Sequence, residues 1–473
     1  MRVRNFLSCL LLMLICWAGF AETITLKEFL DLAQENHPLF KKEALSAEIE
    51  EKRAESLLGT RDWLASIAPY YNHLGEVSAQ SYGGADKVDS FGLEAGLSKS
   101  IWATGGSLGL SVLSGYSRSE FPGPGASKAY THGIGLSYTQ PLLQNLGGKL
   151  DRLGYELSSY TVNLTEVQAL ENSEAFILEL AVSFLDWVQI QEEIKVAEER
   201  LKLAKEQLEQ VQKRYGSNLA DRVDVLRGED AVRTAEQGLL QLNSLWRARQ
   251  AELAVMSQSG ELYEKSPVFD LYKLKELPGV EEALLELKKQ SRLLKIFNIL
   301  KEKLVFQLEG LIEQKRPQLN LNLSGSLYGS DTEIEKSFEI SKPDASVSLE
   351  FSAPLGNSGI KSKIEKVDLQ IEKLQEEKRD IEITLEAALR NLLIQIVDME
   401  EILKLNQAQI ESSQEKTREE LKMYNQGRGQ LTFVIQSRDN EQNARLGHVN
   451  NAALYHTLLL QYQALMDELF PTR

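Results

Sequence analysis

The sequence predicts an α+β membrane protein, internally duplicated, in which short β segments alternate with long α-helical coiled-coil hairpins. Three observations lead there. A strand running into Pro-Leu occurs twice, as Gly135-Leu136-Ser137-Tyr138-Thr139-Gln140-Pro141-Leu142 and as Ser348-Leu349-Glu350-Phe351-Ser352-Ala353-Pro354-Leu355. About 70 residues after each, a tyrosine (Tyr215 or Tyr424) precedes a turn into Val225-Leu226 or Val434-Ile435, so one unit is written twice. The β segments alternate apolar with small or polar residues, which is the pattern of a wall with one greasy and one wet face.

Taken in order, residues 1–21 read as an address label. Arg2 and Arg4 precede an apolar run from Phe6 to Trp17 and a small-residue cleavage site at Gly19-Phe20-Ala21. Both cysteines, Cys9 and Cys16, fall in this segment, so the mature chain is expected to have no thiol, disulfide or cysteine metal site. Bulky Ile15 before Cys16 argues against a lipid anchor. Loss of the segment leaves 51 basic against 69 acidic residues, taking the net charge from -16 to -18. Such an acidic exported chain is not a nucleic-acid binder by charge. Beyond Ala21 no stretch reaches the roughly 18 consecutive apolar residues of a spanning helix, so any entry into a bilayer must use strands.

The first repeat is assigned to 22–259. Thr25-Leu26-Lys27-Glu28 is a capping box, with Ile24 and Phe29 as its hydrophobic staple. Pro38 breaks this helix and restarts it in a first turn. Strands follow at 66–82 and 129–141. Between them an added hairpin is expected at 89–118, from Phe91 to Trp102 and Leu108 to Tyr116 through Thr104-Gly105-Gly106. Phe121-Pro122-Gly123-Pro124-Gly125 reads as a loop.

A long helical hairpin is expected over 148–256. Ile194, Ala197, Leu201, Ala204, Leu208, Val211 and Tyr215 step by three and four along one seam. The returning helix repeats the rule through Val225, Val232, Ala235, Leu239, Leu242, Trp246, Leu253 and Met256. At 1.5 Å per residue the outgoing helix would be about 100 Å long. Residues 260–278, with Gly260, Pro267 and Pro278, read as a linker.

The second repeat, 279–473, opens with a helix from Gly279 to Lys315. Its strands fall at 317–329 and 344–354, and its helical hairpin at 358–468. Leu319, Leu321, Leu323 and Leu327 share one face of the first strand, opposite Asn320, Asn322, Ser324 and Ser326. Leu385, Leu389, Leu392, Ile396, Met399, Leu403 and Ile410 form the helical seam, interrupted by Asn406 and Ser413.

Enzyme readings find no support. His37, His73, His132, His448 and His456 are scattered, without metal-ligand spacing. No phosphate-cradling glycine loop and no nucleophile elbow occurs. Catalytic, cofactor and metal residues are therefore expected to be absent. The strand count is more telling: the same alternation fits a half-exposed sheet of a soluble protein, but a closed barrel needs about eight strands and open edges cannot sit in hydrocarbon, so if the strands span a membrane several copies must share one barrel.

With the Pro141 and Pro354 junctions and the two hairpin tips, Tyr215 to Leu226 and Tyr424 to Ile435, the chain resembles the TolC-type outer-membrane efflux proteins over essentially its whole mature length. The resemblance implies a homotrimer in which each protomer gives four strands to a twelve-stranded barrel, continued by an α-helical periplasmic tunnel. It leaves the added hairpin unplaced. It implies location in the cell outer membrane and passive conduction as the exit duct of a tripartite efflux pump or type I secretion system. The implied partners are a periplasmic adaptor (membrane fusion) protein, an inner-membrane pump or ABC transporter, and outer-membrane lipid. Long hairpins alone would also suit a periplasmic adaptor or a structural coiled-coil protein, but adaptors carry one hairpin where this chain has two.

The resemblance also implies site residues. Family tips run from an aromatic residue to a glycine three positions on; Tyr424-Asn425-Gln426-Gly427 obeys, and Tyr215-Gly216-Ser217-Asn218 puts asparagine at the glycine position. Tyr215, Asn218, Leu219 and Gly427 are thus the adaptor-contact candidates. For the periplasmic gate, Asp224 and Tyr424 fall on the family's latch positions. The expected arginine position is Gly429, with Arg428 beside it. Phe433 and Gln436 stand where some members carry an aspartate ring, so weak block by multivalent cations is expected.

Overall fold

The computed structural model describes residues 22–75, 85–121 and 125–470. The expected signal peptide, positions 76–82 of the first expected strand and Pro122-Gly123-Pro124 lie outside the described residues. In chain order the elements are β1 (Glu22–Thr25), α1 (Leu26–Asn36), α2 (Pro38–Ser56), β2 (Leu64–Gly75), β3 (Lys87–Ile101), β4 (Gly106–Glu120) and β5 (Ala126–Pro141). Then come α3 (Lys149–Gly216), α4 (Arg222–Met256), β6 (Lys265–Val268), α5 (Val280–Gln290), α6 (Arg292–Gln314), β7 (Gln318–Asp331), α7 (Ile334–Ser337), β8 (Lys342–Ser352), α8 (Ser358–Asn425) and α9 (Leu431–Leu465). Among the described residues no helix is long and apolar enough to cross a membrane.

The duplication is visible in the element lengths. The outgoing helices α3 and α8 each have 68 residues, and the returning helices α4 and α9 each have 35. By contacts, however, the chain divides into two compact units that each draw on both repeats: residues 22–45, 167–294 and 379–470 in one, and 46–166 with 295–378 in the other.

The first unit is helical. Its entry is fixed by the capping box: Thr25 N–H donates to Glu28 Oε2 at 2.9 Å, and Glu28 N–H donates to Thr25 Oγ1 at 3.3 Å. Ile24 and Phe29 are both buried beside it. The core gathers Phe29, Phe184, Trp187, Leu253, Leu389, Ile396 and Tyr455 from α1, α3, α4, α8 and α9. Burying each such side chain stabilises the unit by about 1.5–3 kcal/mol, so the seam residues are held by packing rather than by helix propensity. Residues 260–278 join this core through buried Leu262 and Leu271. They also supply β6, which pairs in parallel with β1.

Beside this core Arg292 is almost fully buried among three carboxylates. Its Nε lies 2.7 Å from Glu171, another nitrogen lies 3.3 Å from Asp467, and Glu174 completes the set. Asp467 also accepts the Arg292 backbone N–H at 2.6 Å, while Glu174 accepts the N–H groups of Leu469 and Phe470. The guanidinium fills the space that three convergent carboxylates would otherwise offer to a cation. Burial pushes the Glu171 and Asp467 carboxyls above the usual range, against the opposing pull of Arg292.

The second unit is built on a six-stranded sheet, ordered β2-β3-β4-β5-β7-β8 and antiparallel at each pairing. The added hairpin is β3–β4, and it is laid between β2 and β5 with full ladders on both sides. One sheet face carries Ile67, Tyr71, Phe91, Leu93, Leu97, Leu110, Val112, Ile134, Leu136, Val347, Leu349 and Phe351, all exposed. The other face carries glycine, serine, threonine and asparagine: Gly96, Gly109, Ser111, Gly135, Ser137, Thr139, Asn322, Ser324 and Ser346. Both edge strands are open; in β8 each of its 11 residues is exposed.

Candidate functional site at the hairpin tips

Both helical hairpins reverse through the same hydrogen-bonded turn. At the first tip Asn218 N–H donates to Tyr215 O at 3.0 Å and Leu219 N–H to Arg214 O at 2.8 Å. At the second Gly427 N–H donates to Tyr424 O at 3.0 Å and Arg428 N–H to Met423 O at 3.0 Å. These are Schellman ends, which require a left-handed residue just beyond the helix. Asn218 (φ 56°) and Gly427 (φ 73°) supply it. Glycine does so without a Cβ clash, and asparagine is among the residues that tolerate it.

The first helical unit brings the two tips together around a small apolar cluster of Val211, Val225, Tyr424, Leu431 and Val434, flanked by Leu208, Leu421 and Ile435. The matched tyrosines part company here. Tyr424 is 5 % exposed, whereas Tyr215 is 43 % exposed at the end of its seam. Over the Tyr424 ring lies Arg214, with its guanidinium carbon 4.4 Å from the centroid, and Arg214 Nη1 donates to Tyr424 O at 3.0 Å. The Tyr424 hydroxyl is buried without a hydrogen-bond partner. Burial holds this phenol above its usual range; Arg214 opposes that and the Asp224 charge adds to it.

Asp224 is engaged locally. Its Oδ2 accepts the Asp221 backbone N–H at 3.4 Å and its Oδ1 accepts Arg227 Nη1 at 3.2 Å, the arrangement expected of an acid in a first helical turn. Arg428 is exposed and donates to Gln426 Oε1. Thus, within one chain, the arginine that meets Tyr424 is Arg214 and not Arg428. Gly429, where the family resemblance places an arginine, is pressed against the turn: an added Cβ would stand 2.9 Å from Tyr424 N. Phe433 is 50 % exposed and Gln436 is exposed one turn further along α9. Leu219, Tyr215, Asn218 and Gly427 are all exposed at the tips.

Behind the tips, α3 and α9 are tied by cross-helix arginines. Arg200 pairs with Asp439 at 2.7 Å, Arg438 Nη1 donates to Leu203 O at 2.7 Å, and Arg445 reaches Glu199 and Glu441. Gln207 is buried there with neither amide atom bonded.

Residues 105–257 match the family model described as outer membrane efflux protein. Solved structures share the fold at low identity. The outer membrane protein VceC from Vibrio cholerae aligns with a TM-score of 0.66 at 11% identity, covering 93% of this chain and 96% of its own. The CmeC outer membrane channel of Campylobacter jejuni aligns at 0.65 and 13% identity, covering 94% and 86%. The MtrE outer membrane channel of Neisseria gonorrhoeae, solved in its open state, aligns at 0.57 and 15%, covering 94% and 89%. Among curated proteins none matches the sequence.

Residues 105–257 thus carry the outer membrane efflux protein signature, and the fold is the one shared by these solved outer membrane channels. The paired tips, the two equal helical hairpins and the antiparallel sheet are the features that the duplication in the sequence anticipates. Arg214, Arg292 and the buried Gln207 were not anticipated. Arg214 precedes Tyr215 directly, but its partner lies 210 residues away, and no local pattern links them.

Proposed function

We propose that this chain is the exit duct of a tripartite efflux pump or type I secretion system. In this reading three copies form a β-barrel in the cell outer membrane and continue it as a helical tunnel through the periplasm. Substrates delivered by an inner-membrane pump or ABC transporter pass through without chemistry. The observation that carries the reading is the sheet: apolar on one face, small and polar on the other, and open at both edges. A private globular core would bury one face, whereas lipid outside and water inside suit both. No catalytic group, metal or cofactor is required of a passive conduit.

The hairpin tips serve in this reading as the periplasmic gate and the adaptor contact. Asp224, Tyr424 and Arg428 would tie neighbouring hairpins in the resting state, and the unsatisfied Tyr424 hydroxyl is the group with a bond still to make. Phe433 and Gln436 would border the constriction. Tyr215, Asn218, Leu219 and Gly427 present the exposed turns to which a periplasmic adaptor would dock. The test is extraction and conductance. The mature protein should need detergent to leave the membrane and should conduct ions in planar bilayers; release by salt alone would favour the adaptor or scaffold reading.

A further inference from the structure

The hairpin β3–β4 has the properties of barrel wall. It is not appended to the sheet but inserted in it, so β2 reaches β5 only through β3 and β4. Its alternation keeps phase with the other strands. Phe91, Leu93, Ala95 and Leu97 register against Tyr71, Pro69, Ile67 and Ala65, and Leu110, Val112 and Tyr116 register against Leu136, Ile134 and Tyr130. On the opposite face Gly92 and Gly115 leave room for the ring of Tyr70, which lies across both strands. Glycine under a neighbouring aromatic is a packing device of curved sheets.

A depth marker runs across the same strands. Tyr71, Phe91, Tyr116 and Tyr130 form one registered row over β2, β3, β4 and β5, with Phe91–Tyr116 and Tyr116–Tyr130 centroids 5.1 and 5.0 Å apart. Two residues further on, the row becomes His73, Asp89, Arg118 and Lys128. An aromatic girdle followed at once by charge marks the edge of the hydrocarbon, and here the girdle includes both inserted strands.

The edges fix the partner. Six strands are too few to close, and an open edge in lipid leaves a row of backbone groups unpaired. With six antiparallel strands, β2 and β8 run in opposite directions, so β8 of one copy meets β2 of the next antiparallel and the alternation continues across the seam. We infer that each edge is completed by the opposite edge of another copy of this chain, and that three copies of six strands close an eighteen-stranded barrel. This rests on the duct reading and corrects its dimensions. Diameter grows roughly linearly with strand number, so the barrel is about one and a half times as wide as a twelve-stranded one.

Labelling in proteoliposomes tests it, using the full mature chain, expected to be free of cysteine because Cys9 and Cys16 both fall in the expected signal peptide. A charged, membrane-impermeant maleimide is offered to Glu94→Cys and Ala95→Cys in the inserted hairpin, and to Ser324→Cys and Leu323→Cys in β7. A thiol held in an apolar setting stays protonated and slow. Glu94→Cys and Ser324→Cys should each react about tenfold or more faster than their neighbours. Equal labelling of the 94/95 pair alone would put the hairpin in water and overturn the inference while sparing the duct. Equal labelling of both pairs would sink the duct reading itself. A single-particle map then counts strands: eighteen from three copies supports the inference, and twelve, from either two or three copies, overturns it.

Discussion

Arg214 of the first hairpin lies over the ring of Tyr424 of the second, 4.4 Å from its centroid, and donates to the Tyr424 carbonyl oxygen at 3.0 Å. The two tips of one chain are therefore fastened by a cation on an aromatic face rather than by the Asp224 carboxylate. A partly desolvated contact of this kind stabilises by about 0.5–2 kcal/mol. Arg214→Ala should loosen the tips by that order, read as faster amide exchange in Leu421 to Val434 with the core of the helical unit unaffected. Unchanged exchange would mean that the apolar cluster alone holds the tips.

Tyr424→Phe separates fastening from latching. Within one chain the hydroxyl bonds to nothing, so its removal should leave the stability of the tips unchanged or slightly improved. If the hydroxyl bonds to a neighbouring copy in the closed state, Asp224→Ala with Tyr424→Phe should raise the resting current in planar bilayers. An unchanged closed-state current would reject the latch.

In the proposed gate, Phe433 and Gln436 stand where an acid ring would otherwise lie. Multivalent cations added on the tip side should block the channel weakly. Phe433→Asp with Gln436→Asp should introduce block that weakens as salt is raised, since the Debye length falls to about 3 Å at 1 M. Strong block of the unaltered protein would contradict the assignment.

The carboxyls around Arg292 answer to pH. Removing the arginine as Arg292→Met strands one buried and two half-buried carboxylates, and breaking such a set costs about 3–5 kcal/mol at neutral pH. Because the folded-state pKa values of Glu171 and Asp467 are raised, the folded chain binds more protons there than the unfolded chain. Their penalty is absent below the ordinary carboxylate pKa, grows between that pKa and the raised folded-state values, and is complete above them. The Tm deficit of Arg292→Met relative to the parent should thus shrink as pH falls from 7 toward 4. A deficit independent of pH would show that lost packing, not charge, is what the variant suffers.

Asn218 takes the left-handed conformation that Gly427 takes at the other tip. Asn218→Gly should be neutral or mildly stabilising. Asn218→Val should cost about 1–2 kcal/mol, because a branched Cβ crowds the following carbonyl there. Hydrogen exchange across Tyr215 to Val225 reads both.

Much of this architecture was legible because it repeats or alternates. The capping box at Thr25, the break at Pro38, the seams ending at Tyr215 and Tyr424, and the period-two strands all depend on neighbours in sequence. What escaped depends on pairs distant in sequence. Arg214 and Tyr424, or Arg292 with Glu171 and Asp467, meet only after folding, and a lone arginine on a helix carries no sign of whether it will be buried. Gln207 is similar: a polar residue one place off a seam reads as surface, yet it is buried. The repeat makes the two tyrosines equivalents in sequence, but the second sits under Arg214 and the first faces out. The placement of β3–β4 was undecided in the sequence because alternation describes a strand without naming its neighbours.

The central claim is that one chain holds too little sheet to stand alone. Native mass spectrometry of the mature protein released from detergent micelles measures this most directly. Three copies in one particle, lost when detergent is withdrawn, is the result expected. A folded single chain that remains soluble in plain buffer would contradict it.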